Sequence, residues 1–192
     1  MKIIELTGTT DALGALTITS ADNVQGFVQK VVMDYTDGDA IADLTLTNEG
    51  PTSESILVKA DLGTADAVWY PRAIPNKVAD GSAFTDAPIP IFVTGTFKAV
   101  IAGSTVAISG IDGDATTITV NTSANHNLSV GDKVTIAGTV GYNGTFTVAT
   151  ITDADTFTIA STSHDLDAEA IGTMIRGEAV YRFLVYVTDA EA

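Results

Sequence analysis

The chain has 192 residues, 45% of them apolar, with 24 acidic against 9 basic side chains, a formal charge of −15 and no cysteine. The missing thiols exclude disulfides and thiolate zinc sites, and the charge opposes contact with phosphate backbones, whose affinity comes from Lys and Arg neutralising phosphates. No apolar run approaches the roughly 18 residues of a membrane helix, and Glu5 interrupts the opening MKIIELTG where an export signal needs an unbroken apolar core, so cytoplasmic synthesis without export is expected, with neither nucleic acid nor membrane as partner.

Short strands punctuated by Gly, Asp, Asn and Pro, without a 3.6-residue apolar period, predict an all-β fold, an antiparallel β-sandwich carrying an inserted small β-barrel. Residues 15–19 form a first short strand. The run 25–35 is the first long one, with Phe27, Val31, Met33 and Tyr35 expected on one face, and Thr36-Asp-Gly-Asp39 reverses the chain. Over 42–47 the alternation is clean: Ala42, Leu44 and Leu46 point one way, Asp43, Thr45 and Thr47 the other, as in a half-exposed strand. After a turn at 48–51, residues 55–60 and 67–70 supply two more strands.

Between Tyr70 and Ile91 the character changes. Pro71, Pro75, Pro88 and Pro90 remove amide donors and fix φ, so this stretch is an extended arm or a long ordered loop. It packs either on its own domain or on a neighbouring copy, which makes a homo-oligomer, a trimer in the simplest case, one expectation.

The run 91–103 and the run 178–187 are both rich in β-branched and aromatic residues, and each ends at a glycine facing the gap, Gly103 and Gly177. They are expected to pair as a hairpin, with the second run a central strand covered on both faces. The interruption has its own strand rhythm at 106–111, 116–120, 133–137, 145–151, 156–160 and 172–175, with Thr117, Thr119, Thr145, Thr147, Thr156 and Thr158 facing solvent. Two domains follow: a discontinuous sandwich of residues 1–103 and 177–192, and a barrel of residues 104–176. The ends of the insert should then lie about one strand spacing, roughly 5 Å, apart, so that a two-residue turn could replace it.

No catalytic motif is present, and neither an enzyme nor a cofactor is expected. His126 and His164 fall near turns of the insert and read as surface or turn residues. Asp34, Asp37, Asp39 and Asp43 are close enough in sequence to suggest calcium, but they match no known loop spacing, and Asp is an ordinary turn former, so no metal site is assigned. Trp69-Tyr70-Pro71-Arg72 is either a partner-binding anchor, since aromatic residues and Arg dominate interface hot spots, or an aromatic plug closing the core. The candidate partner-binding residues are Trp69, Tyr70, Pro71, Arg72, Pro75, Pro88 and Pro90.

Two parts of the chain carry a resemblance. Trp69-Tyr70-Pro71-Arg72, the run IPIFVTGTFKAVIAG over 89–103 and YRFLVYV over 181–187 resemble small all-β virion proteins encoded among the head genes of tailed bacteriophages. The insert, with HNLSVGDKV over 126–134 and GTVGYNGTFTV over 138–148, is similar to a β-barrel module of phage structural proteins that is labelled after the first catalytic-cysteine half-domain of ubiquitin-activating enzymes. Without a cysteine that similarity concerns the barrel alone. The resemblance implies a virion structural protein: a capsid decoration or cement protein on the outer surface, touching the major capsid protein and other copies of itself. A neck, tail or receptor-binding component is the alternative.

Overall fold

A computed structural model describes residues 1–39, 41–51, 53–73, 89–114, 116–160 and 166–189. Among them every ordered element is a strand, and every pairing is antiparallel. The first sheet of the sandwich runs β1 (Lys2–Thr9), β18 (Val180–Asp189), β3 (Val24–Asp37), β6 (Ala67–Trp69), with β9 (Phe92–Gly95) on the same edge of β3. The second runs β2 (Leu16–Thr19), β10 (Phe97–Ala102), β4 (Asp43–Asn48), β5 (Glu54–Lys59). The barrel follows the ring β12 (Thr117–Thr122), β15 (Thr156–Ala160), β14 (Gly144–Ile151), β13 (Lys133–Ala137), β17 (Thr173–Gly177), β11 (Val106–Gly113), closed by β11 on β12, while β16 (Leu166–Glu169) adds to β11. Closure pairs each ring strand on both sides, and β16 covers the part of β11 that runs beyond its short pairing with β17.

Each unit has its own core. Ile4, Leu6, Val31, Met33, Leu44, Leu46, Phe97, Ile101, Phe183 and Val185 belong to one buried cluster, and Ile118, Val120, Val134, Ile136, Tyr142, Phe157 and Ile159 to another. Ile41 reaches from the sandwich onto the barrel cluster. Period-two alternation explains most of this: in β12 and β15 Thr117, Thr119, Thr156 and Thr158 face outward while Ile118, Val120, Phe157 and Ile159 are buried.

The expected hairpin does not form. β10 pairs with β2 and β4 in the second sheet, whereas β18 pairs with β1 and β3 in the first. Both runs are apolar because they line one core from opposite sheets. The run 91–103 is itself two strands: β9 belongs to the first sheet, and the chain crosses at Gly95, whose φ is 108°, into β10. A Cβ on Gly95 would lie 2.9 Å from the Cα of Gly50, and one on Gly50 2.1 Å from the Thr94 carbonyl oxygen, so only two glycines allow this crossing.

β18 is central, as expected, but only one of its faces is fully buried. Tyr181, Phe183, Val185 and Val187 point into the core, while Arg182, Leu184, Tyr186 and Thr188 are half-buried on the outer face. Phe27 departs from its expected face too. Tyr186 pairs with Lys30 and Val187 with Val28, which makes Gln29 an extra residue in β3. This bulge shifts the phase of the strand, so Val28 and Val31 both point inward and Phe27 points out.

The β1–β2 turn is wedged between the two ends of the insert. The Asp11 carboxylate accepts from the Leu13 and Ala15 amides at 2.8 and 2.9 Å, which closes the turn. Gly14, at φ 70°, lies so close to both ends that a Cβ there would be 2.9 Å from the Arg176 carbonyl oxygen and 3.0 Å from the Gly103 Cα. Gly14→Val is expected to destabilise the chain by about 2 kcal/mol or more, combining left-handed backbone strain with overpacking against main chain. Urea unfolding measures it; a loss below about 0.5 kcal/mol, the range of ordinary surface changes, would contradict the wedge.

Candidate functional surfaces at the arm root, the outer sheet face and the junction

Trp69 pairs across from Val31 and packs half-buried on the sandwich core, so it acts as the plug. Tyr70 is 64% exposed, Pro71 is buried and Arg72 is exposed. Arg72 Nη1 donates to the carbonyls of Pro71 (2.7 Å), Gln29 (3.2 Å) and Val28 (3.5 Å), the last two at the β3 bulge. A bulge leaves ladder carbonyls unmatched, and the guanidinium, which carries five donors, meets them. Here β7 (Arg72–Ala73) and β8 (Ile89–Pro90) leave the sheet as a two-stranded ribbon, Arg72 opposite Pro90. Pro90 is thus in a strand pair, while Pro75 and Pro88 lie outside the described residues.

The outer face of the first sheet presents rows fixed by register. Ile3 lies opposite Tyr186, and Tyr186 opposite Lys30; Leu184 meets Val32, and Val32 meets Val68; Thr188 meets Phe27, and Phe27 meets Phe92. The Phe27 and Phe92 rings meet edge to face with centroids 5.2 Å apart. At one end Arg182 joins Glu5 and Asp34, and the Arg182 hydrogen bond, followed by that of Thr7, holds the Glu5 carboxyl below its ordinary value. Lys30 Nζ lies 4.3 Å from the centre of the Tyr186 ring.

At the junction, Arg176 of β17 and Asp132 of the barrel form a buried ion pair, Nη2 to Oδ1 at 2.9 Å, with side chains 4% and 7% exposed. Arg176 Nη1 donates to the Gly38 carbonyl of the sandwich at 2.9 Å, and the Thr135 hydroxyl donates to the Ala12 carbonyl at 2.7 Å. Beside them Asp39 is buried, its amide donating to the Tyr181 hydroxyl at 2.7 Å and its Oδ1 accepting from the Ile41 amide at 3.2 Å. Burial raises the Asp39 carboxyl above the ordinary value, against the Ile41 bond and the Arg176 charge, which lower it.

Carbon-detected NMR titration should therefore find the Asp39 midpoint above about 3.9, and higher still in Arg176→Met. A midpoint at or below that of an exposed aspartate would refute the arrangement. The sign for stability follows. The folded state holds its proton more tightly than the unfolded one, so this group's contribution is fully present below the unfolded pKa and is lost as pH rises through the raised folded value.

The remaining candidates resolve differently. His126 is not a surface residue: it is 2% exposed, its Nδ1 accepts from the Leu128 amide at 3.0 Å, and its Nε2 lies 3.2 Å from the Asp153 carbonyl. Accepting at Nδ1 leaves the proton on Nε2, so the ring staples the 126–128 loop to the 153–155 turn, edge-on to Phe157. His164 lies outside the described residues, as does the Asp37 side chain. The other three early aspartates disperse: Asp34 to Arg182, Asp39 to the junction, and Asp43 to the Asp61 amide. An open cleft of about 420 Å³ beside Gly50 and Gly95 is lined by Asn23, Gln25, Glu49 and Thr94, with no imidazole or Lys among its lining residues.

Family models, curated proteins and solved structures were all compared with the chain, and none matches.

The junction pair escapes a reading of the sequence. Asp132 reads as a turn former, and it is one, since its Oδ2 accepts from the Ser129 amide at 2.7 Å. The available signal is Arg176 itself, two residues from buried Met174 in a period-two strand and hence facing inward.

Proposed function

We propose that the chain is a structural protein of a tailed-bacteriophage virion, a decoration or cement protein that grips the assembled head shell through the sandwich and directs the barrel away from it. The resemblance of 69–72, 89–103 and 181–187 supports the class. The observation that carries the mode of binding is the arm root: a two-stranded ribbon fixed to the sheet by the Arg72 hydrogen bonds to the Val28 and Gln29 carbonyls, beside the exposed Tyr70 ring. Aromatic and Arg side chains on a rigid support are the anchors that interfaces favour. The barrel's outer face, built of threonine, suits water. Cement acts by mass action, adding about 2.7 kcal/mol per site at a hundredfold excess over Kd, and many sites toughen a shell.

The test adds protein to shells that lack it and measures bound copies and the temperature of DNA release. Wild type should saturate the shell and raise that temperature. Tyr70→Ala/Arg72→Ala should bind at least about tenfold more weakly, while Thr119→Lys/Thr158→Lys on the barrel should bind as wild type does. Failure of wild type to bind shells, with a handful of copies recovered on necks or tails, would overturn the assignment in favour of a connector or tail part.

A further inference from the structure

We propose that the outer face of the first sheet is a self-association surface on which a second copy of this chain packs, sheet on sheet, about a twofold axis. The face is apolar where an isolated sandwich would be polar. Phe27, Phe92, Val68 and Ile3 are 41%, 43%, 46% and 50% exposed, and they flank the half-buried Leu184, Tyr186 and Val32 in the rows that the register fixes. A continuous patch of this kind marks an interaction site, whereas the same residues scattered singly would not.

Charge selects the occupant. The face carries Arg182 and Lys30 against Glu5 and Asp34, a sum of zero, in a chain of net charge −15. Arg182 is already engaged by both carboxylates and Lys30 lies alone over the Tyr186 ring, so the face offers no cluster of like charge to recruit an oppositely charged ligand. The partner must itself be neutral and apolar across a sheet-sized area. The same face of a second copy has those properties, and it is where two acidic molecules meet with least repulsion. Twofold symmetry makes such a contact closed, with each row seen by both copies.

Size sets the strength. Four strands across at about 4.8 Å, with β6 and β9 sharing the edge of β3, and eight residues at about 3.3 Å give a face of roughly 19 by 26 Å, well under the standard interface of about 800 Å² per partner. The association is therefore reversible, in the micromolar range, with the facing sheets about 10 Å apart.

The proposal does not rest on the virion reading. Sedimentation equilibrium of the full chain from roughly 1 µM to 1 mM should show a monomer–dimer equilibrium. Phe27→Gln/Phe92→Gln, which leaves charge unchanged, should weaken it at least about tenfold. Val140→Gln, at the most exposed apolar side chain of the barrel, should not change it. Should the double variant fail to fold, amide exchange in wild type provides the second measurement: Thr94, Val32 and Leu184 amides are expected to slow with concentration, and barrel amides are not. A chain that stays monomeric, forms a trimer, or dimerises equally well in the folded double variant overturns the proposal. Shell binding by a strict monomer would do so while leaving the virion reading standing; if Phe27→Gln/Phe92→Gln then lost shell binding, the face would belong to the shell protein.

Discussion

Replacing Arg176 by Met, with Asp132 intact, is expected to lower stability by about 3–5 kcal/mol, because it leaves a carboxylate 7% exposed without its counter-charge. The cost arises from the orphaned partner. Arg176→Met combined with Asp132→Asn, which keeps an acceptor for the Ser129 amide, should recover more than half of the loss. Arg176 also donates to the Gly38 carbonyl, so the single variant weakens the tie between barrel and sandwich, and calorimetry should resolve two transitions where wild type shows one. Additive effects of the two substitutions, or a loss under about 1 kcal/mol, would mean that the pair behaves as a surface bridge.

Excising residues 104–176 is expected to give opposite outcomes according to what replaces them. The ends of the insert do lie close, since a Cβ on Gly14 would be 3.0 Å from the Gly103 Cα and 2.9 Å from the Arg176 carbonyl oxygen, but a two-residue Asn-Gly turn requires hydrogen-bonded neighbouring strands, and β10 and β18 belong to different sheets with Gly14 between their ends. That variant should aggregate or lose cooperative unfolding. A flexible linker of about six Gly and Ser residues spans the gap at little closure cost and should give a soluble sandwich with a single unfolding transition, less stable than the intact chain because the Gly38 carbonyl and Ala12 lose their barrel donors. A well-folded product from the Asn-Gly variant would show that the two strands can pair directly after all.

What the sequence makes legible is whatever follows from period two. The threonine-and-apolar alternation of β12, β13 and β15, the Ala42, Leu44 and Leu46 face, and the all-β sandwich-plus-barrel class are read directly from local pattern. β1 carries only a brief stretch of the same alternation, Ile4 and Leu6 buried with Glu5 and Thr7 exposed, and its full length as a strand comes from pairing with β18, far away in sequence. The Phe27 face is misread because a bulge is one unmatched residue, Gln29, and carries no compositional mark. Pairing of the 91–103 and 178–187 runs is misread for a deeper reason: apolar content tells which core a strand lines, not which sheet it joins. In the arm root, Pro and Trp announce an ending strand, whereas the Arg72 contacts depend on that same bulge.

β18 lies between β1 and β3, yet in the chain it comes after every strand of the barrel. During vectorial synthesis β1 and β3 therefore wait, with Leu6, Val31 and Met33 uncovered, while the whole barrel is made. The barrel closes largely through sequence-local pairs and needs nothing from the waiting strands to fill its ring. At about 5–20 residues per second, the interval is several seconds, long against hairpin formation, so the barrel should be folding before β18 can complete the first sheet of the sandwich. The sheet is thus completed last by its central strand, which must enter between two partners already present. The apolar strands that make the finished sandwich stable are the nascent chain's main exposure to off-pathway association until that entry.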